Sequence, residues 1–383
     1  MAAYLRAIIP ALVDSGHRIS VFANSGESRE FKVEDGRVAV HHFRLPQAHG
    51  YAAKVPGVRG LATLPLRQLE WSTAFYRRVA RVAATDKIDV LESAEAGALF
   101  LSRIAPLVLR LHGSEFTFRQ HAHLPLNFSV RWNDSLEAMS SRRATAITTP
   151  SHFQAQEIVS HRGWSAERVR VIPNPISATM LEAGRRFQRN GNSESIVLYT
   201  GRLAPVKGIE TLLGAARQIH QRSPGVTFVL AGPWQMPHSP ETYGLTLNSK
   251  SDHGVQWVGP QDQAELVNWY QRAALFVMPS YYESFGISVV EAMAFGLPVV
   301  CSRAGGIPET VDDGVNGLLV EPGNSPQLAE TILKLLSDNE RRGSLGRAGQ
   351  ARNFAAFGPA EVARQNLEVY QLACRSFPSS LSN

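Results

Sequence analysis

The sequence predicts an α/β protein with two doubly wound domains, each a parallel sheet covered by helices on both faces. Three observations support this prediction. The chain has 383 residues, which exceeds one ordinary core and suits two domains. Strand-like and helix-like segments alternate along it, and the strand-like runs are short and apolar throughout. Such runs indicate strands buried on both faces, which are typical of parallel sheets.

The alternation is clearest in the second half of the chain. The predicted strands there are Ile196–Leu203, Val226–Ala231, Val255–Val258, Leu275–Met278, Pro298–Cys301 and Gly317–Val320. The predicted helices, with apolar residues at helical spacing, are Ile209–Gln221, Ala264–Arg272, Ile287–Ala294 and Pro326–Leu336. We therefore expect a doubly wound domain over residues 176–358.

The first half alternates less regularly, and residues 1–175 are the predicted N-terminal domain. Its predicted strands are Ile19–Ala23, Val38–His42, Val90–Leu91, Val108–His112 and Ala146–Thr149, and its predicted helices are Tyr4–Val13, Glu70–Ala84 and Phe153–Ser160. We expect a loop over residues 44–66, a domain boundary near Pro173–Ser177 and a polar connection at Arg185–Ser195.

The chain opens inside a helix, whereas a doubly wound domain ordinarily opens with a strand. We therefore expect the N-terminal domain to lack its first strand, through truncation or a misassigned start. Without that strand the N-terminal sheet would be incomplete.

Composition and cysteine usage indicate an ordinary soluble protein. Hydrophobic residues make up 44% and charged residues 19% of the chain. Cys301 and Cys374 lie far apart and belong to no metal-ligand spacing, which fits a reducing compartment. No apolar run approaches the roughly 20 residues that span a bilayer, and the N-terminus does not resemble a signal peptide. We expect a cytoplasmic protein.

The formal charge of +6 is concentrated in the first half. Residues 1–176 contain 22 Lys and Arg against 15 Asp and Glu. Such a half could meet an anionic membrane surface or an acidic substrate, or it could be a solvated arginine-rich surface. No nucleic-acid-binding motif accompanies the charge, so we expect no nucleic acid partner.

Two cations follow the first strand of the second domain. Arg202 and Lys207 lie in a predicted strand-to-helix loop, directly after a glycine turn at Gly201. Ligands of doubly wound sheets bind at the carboxyl ends of the strands, where the next helix presents its positive end. Two cations there suit a diphosphate.

A second motif contains two glutamates around a helix start. Gly286 lies where the helix begins, so the amides of Phe285, Gly286 and Ile287 are free to meet phosphate oxygens. Glu291 lies one to two turns into an apolar helix, where a buried carboxylate needs partners such as ribose hydroxyls. Glu283, ahead of the helix, is expected to face a sugar.

Two further segments are read as turns. Gly305-Gly306 follows a strand and allows close approach of the backbone to a ligand. Asp312-Asp313-Gly314 is a loop and not a metal motif, because turn and strand patterns resume immediately after it. No clear Asp-x-Asp metal motif occurs, so we expect no metal requirement.

These motifs resemble those of a known family. GRLAPVKGIETLL, ESFGISVVEA and GGIPE…GVNGLLVEP match, in order and spacing, the donor-site motifs of the family 4 retaining glycosyltransferases (glycosyl transferases group 1), which have the GT-B fold. TPSHFQAQEI, RVRVIPNPIS and LVDSGHRISVFA extend the resemblance over nearly the whole chain, although specificity is high only over residues 198–322. The resemblance implies two Rossmann-like domains facing across a cleft, with residues 359–383 crossing back to the first.

The resemblance also implies roles for the donor-site residues. Arg202 and Lys207 would bind the diphosphate of a UDP- or GDP-sugar and stabilise the leaving group. Glu291 would bind the ribose and Glu283 the transferred sugar. The expected donor-binding set is Gly201, Arg202, Lys207, Glu283, Ser284, Phe285, Gly286 and Glu291.

In the N-terminal domain, the resemblance implies that His112 lies beside the donor sugar at the interdomain cleft. With Glu283, Arg202 and Lys207 it forms the expected catalytic set, and no cofactor is implied. Asn174-Pro175-Ile176 departs from the Asn-Gly pattern of many relatives, which alters only a turn. The acceptor would be a glycan, lipid-linked or small-molecule hydroxyl. The charge of the basic half favours a membrane-associated acceptor and peripheral contact with the inner membrane face.

The function expected from the sequence is therefore retaining transfer of a sugar to an acceptor hydroxyl, in polysaccharide, lipopolysaccharide or glycolipid biosynthesis of the cell envelope. The main alternative is a non-catalytic nucleotide-sugar-binding protein, because of the missing strand. A nicotinamide oxidoreductase lacks support, since no Gly-x-Gly-x-x-Gly follows a strand. A pyridoxal-phosphate-dependent sugar phosphorylase of the same architecture also stays open.

Overall fold

The computed structural model describes residues 2–24, 29–44, 63–94, 98, 100–113, 115–121, 125–189 and 194–377. The chain divides into two compact units. Unit 1 comprises Met1–Pro173 together with Ala360–Asn383, and unit 2 comprises Asn174–Pro359. The chain therefore passes from unit 1 to unit 2 and later returns to unit 1.

Unit 1 contains seven strands and, up to Pro173, five α-helices in the part of the chain that is described. The strands are β1 Ile19–Asn24, β2 Arg29–Val33, β3 Val38–Phe43, β4 Leu91–Ser93, β5 Leu107–Arg110, β6 Ala146–Thr149 and β7 Val169–Val171. The helices are α1 Ala2–Asp14, α2 Thr63–Ala83, α3 Glu115–His121, α4 Phe128–Arg143 and α5 His152–Arg162.

The strands of unit 1 form two sheets. One has the order β1-β3-β2, with β3 parallel to β1 and antiparallel to β2. The other has the order β4-β5-β6-β7 and is parallel throughout. Among the described residues, β1 and β4 each pair with one strand only, so each sheet has an open edge there.

The two sheets share their covering helices. Ile19 of β1 packs with Val108 of β5 and Tyr4 of α1 in one apolar cluster. Phe22 of β1 packs, in a second cluster, with β4 and β5 residues and with Val79 of α2. The sheets therefore belong to one layer between α1 and α2, interrupted between β1 and β4.

Unit 2 is built around a single parallel sheet. Its strands are β8 Ile196–Thr200, β9 Thr227–Ala231, β10 Val255–Gly259, β11 Leu275–Met278, β12 Val299–Ser302 and β13 Leu318–Val320. Its helices are α6 Ala178–Arg186, α7 Ile209–Arg222, α8 Gln263–Arg272, α9 Ile287–Ala294, α10 Ile307–Thr310, α11 Ser325–Ser337 and α12 Asn339–Ala356.

The sheet of unit 2 has the order β10-β9-β8-β11-β12-β13. Strands β8, β11 and β12 are buried at every position, which their continuous apolar sequences predict. One apolar cluster covers one face with α7 and α11, and another covers the opposite face with α6, α8 and α9. Both units are thus Rossmann-like layers of helices on strands that are all parallel in unit 2 and, apart from β2, parallel in unit 1.

The last helix, α13 Pro359–Ser376, returns the chain to unit 1. Val362 and Val369 on this helix pack with Tyr4 and Ile8 of α1. The Tyr370 hydroxyl donates to Glu92 at 2.6 Å. Of the predicted crossing segment 359–383, residues 378–383 lie outside the described residues.

Some predicted boundaries are wrong. Arg185 and Arg186 end helix α6 and do not begin a polar connection, because Ser177 caps a helix that buries an apolar face. The strand predicted at Ile196–Leu203 stops at Thr200, where Gly201 adopts a φ of +145°. The strand predicted at Val108–His112 ends at Arg110.

The predicted loop over residues 44–66 is wrong at its end, since α2 begins at Thr63. Residues 45–62 of that loop, and residues 190–193 of the predicted connection, lie outside the described residues. Strands β2 and β7 escaped prediction. All five residues of β2 are exposed, so it lacks the apolar run that revealed the other strands.

Candidate active site

The order in which strands are added to the sheet of unit 2 reverses between β8 and β11. Strands β9 and β10 lie on one side of β8, whereas β12 and β13 lie beyond β11 on the other. The carboxyl ends of the two strands at such a switch point border a crevice, because their connections lead to opposite sides. The loops that leave β8 and β11 carry Arg202, Lys207 and Glu283.

Lys207 and Glu283 form an ion pair across the switch point. Nζ of Lys207 lies 2.6 Å from Oε1 of Glu283, and Ser280 donates its hydroxyl proton to the same oxygen at 3.1 Å. Both charged side chains are largely buried. An ammonium group has three protons, so Lys207 can hold Glu283 and still donate to an anionic ligand.

The turn Pro205–Lys207 ends at Gly208, and its geometry depends on that glycine. The φ of Gly208 is +70°, and a Cβ at this position would lie 1.9 Å from the carbonyl oxygen of Pro279. The amide of Tyr281 also donates to the carbonyl of Val206 at 2.8 Å. These close contacts bring the β8 and β11 loops together and place Lys207 against Glu283.

Arg202 is held through its own backbone. The buried Tyr199 hydroxyl donates to the carbonyl of Arg202 at 2.7 Å. The guanidinium NH1 lies 3.4 Å from Oε1 of Gln235, beyond the end of β9. Arg202 therefore borders the same strand ends but makes no ion pair with Glu283 among the described residues.

Helix α9 begins with free amides. Gly286 is its N-cap, with a φ of +88°, and a Cβ there would meet Cδ1 of Ile307 at 2.6 Å. The amides of Phe285, Gly286 and Ile287 donate to no carbonyl of the described residues. Phe285 packs edge-on against Phe357 and fixes the turn. Three such donors at a helix N-terminus can bind an anion.

The backbone of Glu283 is fixed by the predicted glycine pair. The amide of Gly306 donates to the carbonyl of Glu283 at 2.8 Å. Gly305 has a φ of +57°, and a Cβ there would lie 1.9 Å from that same carbonyl oxygen. The glycine pair thus contacts the protein backbone that carries Glu283.

Glu291 lies on α9, and its environment is apolar. Burial raises the pKa of its carboxyl to about 7, and a hydrogen bond from the Tyr270 hydroxyl, at 3.0 Å, opposes that rise. Part of the side chain is still exposed. A carboxylate in this position can accept hydrogen bonds from ligand hydroxyls.

His112 lies in unit 1, two residues after β5. Its ring meets the ring of Tyr4 edge-on, with 5.5 Å between centroids. Burial, and then the neighbouring Arg110 guanidinium, lower the pKa of His112 to about 3. The imidazole is therefore neutral near pH 7.

The structure brings the predicted donor residues of unit 2 together around the ends of β8 and β11. Sequence analysis missed Ser280, Thr200 and Tyr270, whose hydroxyl groups bond to one another or to the two glutamates. Ser280 is three residues before Glu283 and belongs to the same motif. Tyr270 lies on an ordinary amphipathic helix and gives no sequence signal.

In the described ranges, no group of three or more His, Cys, Asp or Glu side chains is arranged to hold a metal ion. Within the same ranges, no helix is both long and apolar enough to cross a membrane.

Two family models match the chain and together cover most of it. Residues 1–179 match Glycosyltransferase Family 4, and residues 182–352 match Glycosyl transferases group 1. The two matches follow the division between unit 1 and unit 2. The chain belongs to the family 4 glycosyltransferases.

Curated relatives of this chain are also named glycosyltransferases. A D-inositol 3-phosphate glycosyltransferase of Arthrobacter sp. (strain FB24) is 28% identical over 399 residues, covering 99% of this chain and 91% of the relative. One of the same name from Corynebacterium efficiens is 32% identical over 227 residues, covering 55% and 53%. The enzyme is accordingly a transferase of sugars.

Solved structures show that its fold is GT-B. A sucrose-phosphate synthase from Thermosynechococcus elongatus superposes with a TM-score of 0.71 at 22% identity, over 94% of this chain and 90% of the other. Anabaena HepE in complex with UDP superposes with a TM-score of 0.65 at 21% identity, over 92% and 99%. At these identities the likeness concerns the fold alone.

Proposed function

We propose that unit 2 binds a nucleoside-diphosphate sugar at the ends of β8 and β11. The arrangement of Lys207 and Glu283 at 2.6 Å, next to the free amides of α9, is the observation that supports this best. Arg202, Lys207 and the amides of Phe285, Gly286 and Ile287 would hold the diphosphate. Glu291 would accept the ribose hydroxyls, and Glu283 would contact the transferred sugar.

The enzyme would then transfer the sugar with retention of configuration. The bond between the sugar C1 and the diphosphate oxygen breaks, and the acceptor oxygen bonds to C1 from the same face. The acceptor proton passes to the departing diphosphate. Arg202, Lys207 and the helix amides stabilise the charge that develops on the leaving group. His112, neutral near pH 7, would donate or accept one hydrogen bond at the sugar.

The donor would be a UDP- or GDP-sugar, and UDP is the first nucleotide to test because HepE, a relative in fold, was solved with UDP. Unit 1 would bind the acceptor hydroxyl of a glycan or a lipid-linked molecule. We place the reaction in the synthesis of cell-envelope polysaccharide, lipopolysaccharide or glycolipid, on the cytoplasmic side.

Thermal unfolding with added nucleotides tests the donor site. A nucleotide at about 100 times its dissociation constant should stabilise the enzyme by about 2.7 kcal/mol. We expect UDP or GDP to raise the melting temperature of wild type, and Glu291→Ala to abolish the rise. Glu330→Ala, which removes an exposed carboxylate bound to Arg222, is the matched control and should keep it. Cooperative melting that no nucleotide shifts would contradict the proposal.

Product formation separates transfer from binding alone. With the donor so identified, wild type should release free nucleoside diphosphate in the presence of acceptor, and Lys207→Met should slow that release by at least about 100-fold. Binding of the donor without any transfer would instead support a non-catalytic nucleotide-sugar-binding protein.

We also propose that unit 1 contacts an anionic membrane surface through helix α4. Phe128 and Met139 are large exposed side chains on this helix, 50% and 41% accessible. Arg131, Arg142 and Arg143 are exposed as well. The spacing of these five residues places them on one side of a helix of 3.6 residues per turn. Exposed apolar and cationic side chains on one face favour a bilayer with anionic headgroups.

The acidic residues of α4 do not neutralise this face. Asp134 pairs with Arg162 at 2.7 Å and with His161 at 3.0 Å, and Glu137 lies 3.6 Å from Arg162. Their partners lie on α5, so these carboxylates are directed away from the exposed arginines.

Sedimentation with vesicles tests the membrane contact. We expect binding to phosphatidylcholine vesicles that contain phosphatidylglycerol, and little binding to phosphatidylcholine alone. Changing Arg131, Arg142 and Arg143 together to Gln should weaken binding by on the order of 100-fold, since each basic residue contributes about 1 kcal/mol. Phe128→Ser, which removes an exposed apolar side chain from the same face, should weaken it several-fold. Phe31→Ser, at an exposed position of β2, should have no effect. Equal binding by all variants would exclude α4 as the contact.

A further inference from the structure

The Glu291 carboxylate is bonded to a side chain from another helix. The Tyr270 hydroxyl, on α8, lies 3.0 Å from Oε2 of Glu291 on α9. On its other side the same hydroxyl lies 2.7 Å from Oγ1 of Thr200, the last residue of β8. Three side chains therefore connect three elements beside the Gly201 turn.

The two hydrogen bonds that link Thr200, Tyr270 and Glu291 are donated in the same direction, towards Glu291. Burial, and then the nearby Glu291 carboxylate, hold the pKa of Tyr270 well above its ordinary value, so the phenol stays protonated. An ionised carboxylate can only accept, so Tyr270 uses its single proton to donate to Glu291. The Thr200 hydroxyl must then donate to Tyr270.

Tyr270 is itself held in place. Its ring is fully buried and stacks on Phe295, with 5.4 Å between centroids and 14° between planes. Its carbonyl accepts from NH2 of Arg189 at 2.8 Å. The same guanidinium donates to the carbonyls of Ala273 and Phe295, at 2.7 Å and 3.3 Å. The phenol has no room to turn away from Glu291, because the interior is close-packed.

One carboxylate oxygen of Glu291 accepts a hydrogen bond within the protein, and the other is available to a ligand. Oε2 accepts from Tyr270, whereas Oε1 has no hydrogen-bond partner among the described residues. Part of the side chain is exposed. A carboxylate fixed through one oxygen presents the other in a single orientation, which reduces the entropy lost when a ligand hydroxyl binds.

We propose that Tyr270 is a positioning residue, which fixes the Glu291 carboxylate so that its second oxygen receives the ribose hydroxyls of the donor. Thr200 completes the arrangement by orienting the Tyr270 proton. This inference rests on the proposed function, in which Glu291 binds the ribose. It adds that recognition of the ribose depends on two buried hydroxyl groups that do not touch the ligand.

Nucleotides with and without ribose hydroxyls test this role. Binding of UDP and of 2′,3′-dideoxy-UDP is measured by titration calorimetry for wild type and Tyr270→Phe. Because hydrogen bonds to charged groups contribute more than those between neutral groups, we expect Tyr270→Phe to bind UDP about tenfold more weakly than wild type does. For the dideoxy nucleotide, which offers Glu291 no hydroxyl, the variant should lose less than about twofold.

Two further variants provide a second test and a control. Thr200→Val removes the hydroxyl that orients Tyr270 and should give the same selective loss, smaller in size. Tyr243→Phe removes a tyrosine hydroxyl of unit 2 that bonds to Glu210, and should change neither affinity. Thermal unfolding without ligand verifies that each variant folds. Equal losses for both nucleotides in Tyr270→Phe and Thr200→Val would show a purely structural role and overturn the inference.

Glu291→Gln separates failure of the inference from failure of the proposed function. If Glu291→Gln removes the preference for UDP over its dideoxy form while Tyr270→Phe retains it, only the role of Tyr270 is wrong. If Glu291→Gln leaves the preference unchanged, Glu291 does not bind the ribose and the proposed donor geometry fails with it.

Discussion

At the scale of single residues, the proposed donor site contains ionisable side chains that are largely buried. Lys207 and Glu283 satisfy each other at 2.6 Å. Glu291 has no cation within reach among the described residues, and only the Tyr270 hydroxyl bonds to it. A buried carboxylate with so little compensation destabilises the free protein, and a ligand that supplies donors relieves this cost.

The titration of Glu291 leads to a prediction about stability and pH. Burial raises its pKa from 4.5 to about 7 in the folded protein. Between those values the folded state holds a proton that the unfolded chain has released, so this group lowers the free energy of unfolding as pH rises. Relative to wild type, Glu291→Gln should therefore gain stability from about pH 4.5 to about pH 7, and no more above that. Urea unfolding across this range checks it, and a constant difference would contradict it.

Sequence reasoning located Arg202, Lys207, Glu283 and Glu291, since each lies in a motif tied to a strand end or a helix start. It could not locate Tyr270. That residue approaches Glu291 only because α8 and α9 pack on the same face of the sheet, which is a tertiary contact without a local signal. The stated functions of all these residues stay predictions.

At the scale of elements, glycines allow the site loops to approach one another. Gly208 lies against the carbonyl of Pro279, and Gly305 against the carbonyl of Glu283. Loops that come this close leave no space for a side chain at the two glycines. The loops after β8, β11 and β12 are thus fixed to each other by contacts between backbones.

Gly305→Ala tests this element-level packing. The new Cβ would overlap the carbonyl oxygen of Glu283, and the φ of +57° strains any side chain by roughly 1–2 kcal/mol. We expect lower thermal stability and at least about a tenfold loss of affinity for UDP, because Glu283 must move and its ion-pair partner Lys207, which would hold the diphosphate, must move with it. Gly225→Ala is the matched control, since nothing lies within 4 Å of its Cβ position and its φ is ordinary. Equal effects of the two variants would refute the argument.

The accuracy of the element predictions follows burial. Strands β11 and β12 were found from apolar runs because both faces of their sheet are covered. Strand β2 was missed because its sequence, REFKV, is exposed at every position. Ends of elements were the least certain part. Helix α6 extends over residues predicted to form a connection, because Met180 and Leu181 pack into the apolar cluster on one face of the sheet.

At the scale of the whole molecule, the two units differ in continuity. Unit 2 has one sheet of six strands with apolar clusters on both faces. Unit 1 has a layer interrupted between β1 and β4, and two strands there leave backbone groups without a neighbouring strand among the described residues. Backbone groups that are not paired within a sheet exchange with water more readily.

Amide hydrogen exchange should reveal this difference. We expect slow exchange in β8, β9, β11 and β12, and exchange faster by at least about tenfold in β1 and β4. Addition of UDP should slow exchange further around the ends of β8 and β11, and leave β1 unchanged. Protection of β1 equal to that of β8 would contradict the expected order of stabilities.

The ends of unit 2 have a further consequence. The amide of Ile176 donates to the carbonyl of Phe357 at 3.0 Å, so the entry and exit of this unit lie side by side. Once unit 2 has folded, the two parts of unit 1 are joined as if by a short loop. With unit 2 unfolded, closing that loop would cost about 3 kcal/mol more, because loop entropy grows with the logarithm of length. We therefore expect the inserted half of the chain to fold first and to promote assembly of the half that surrounds it.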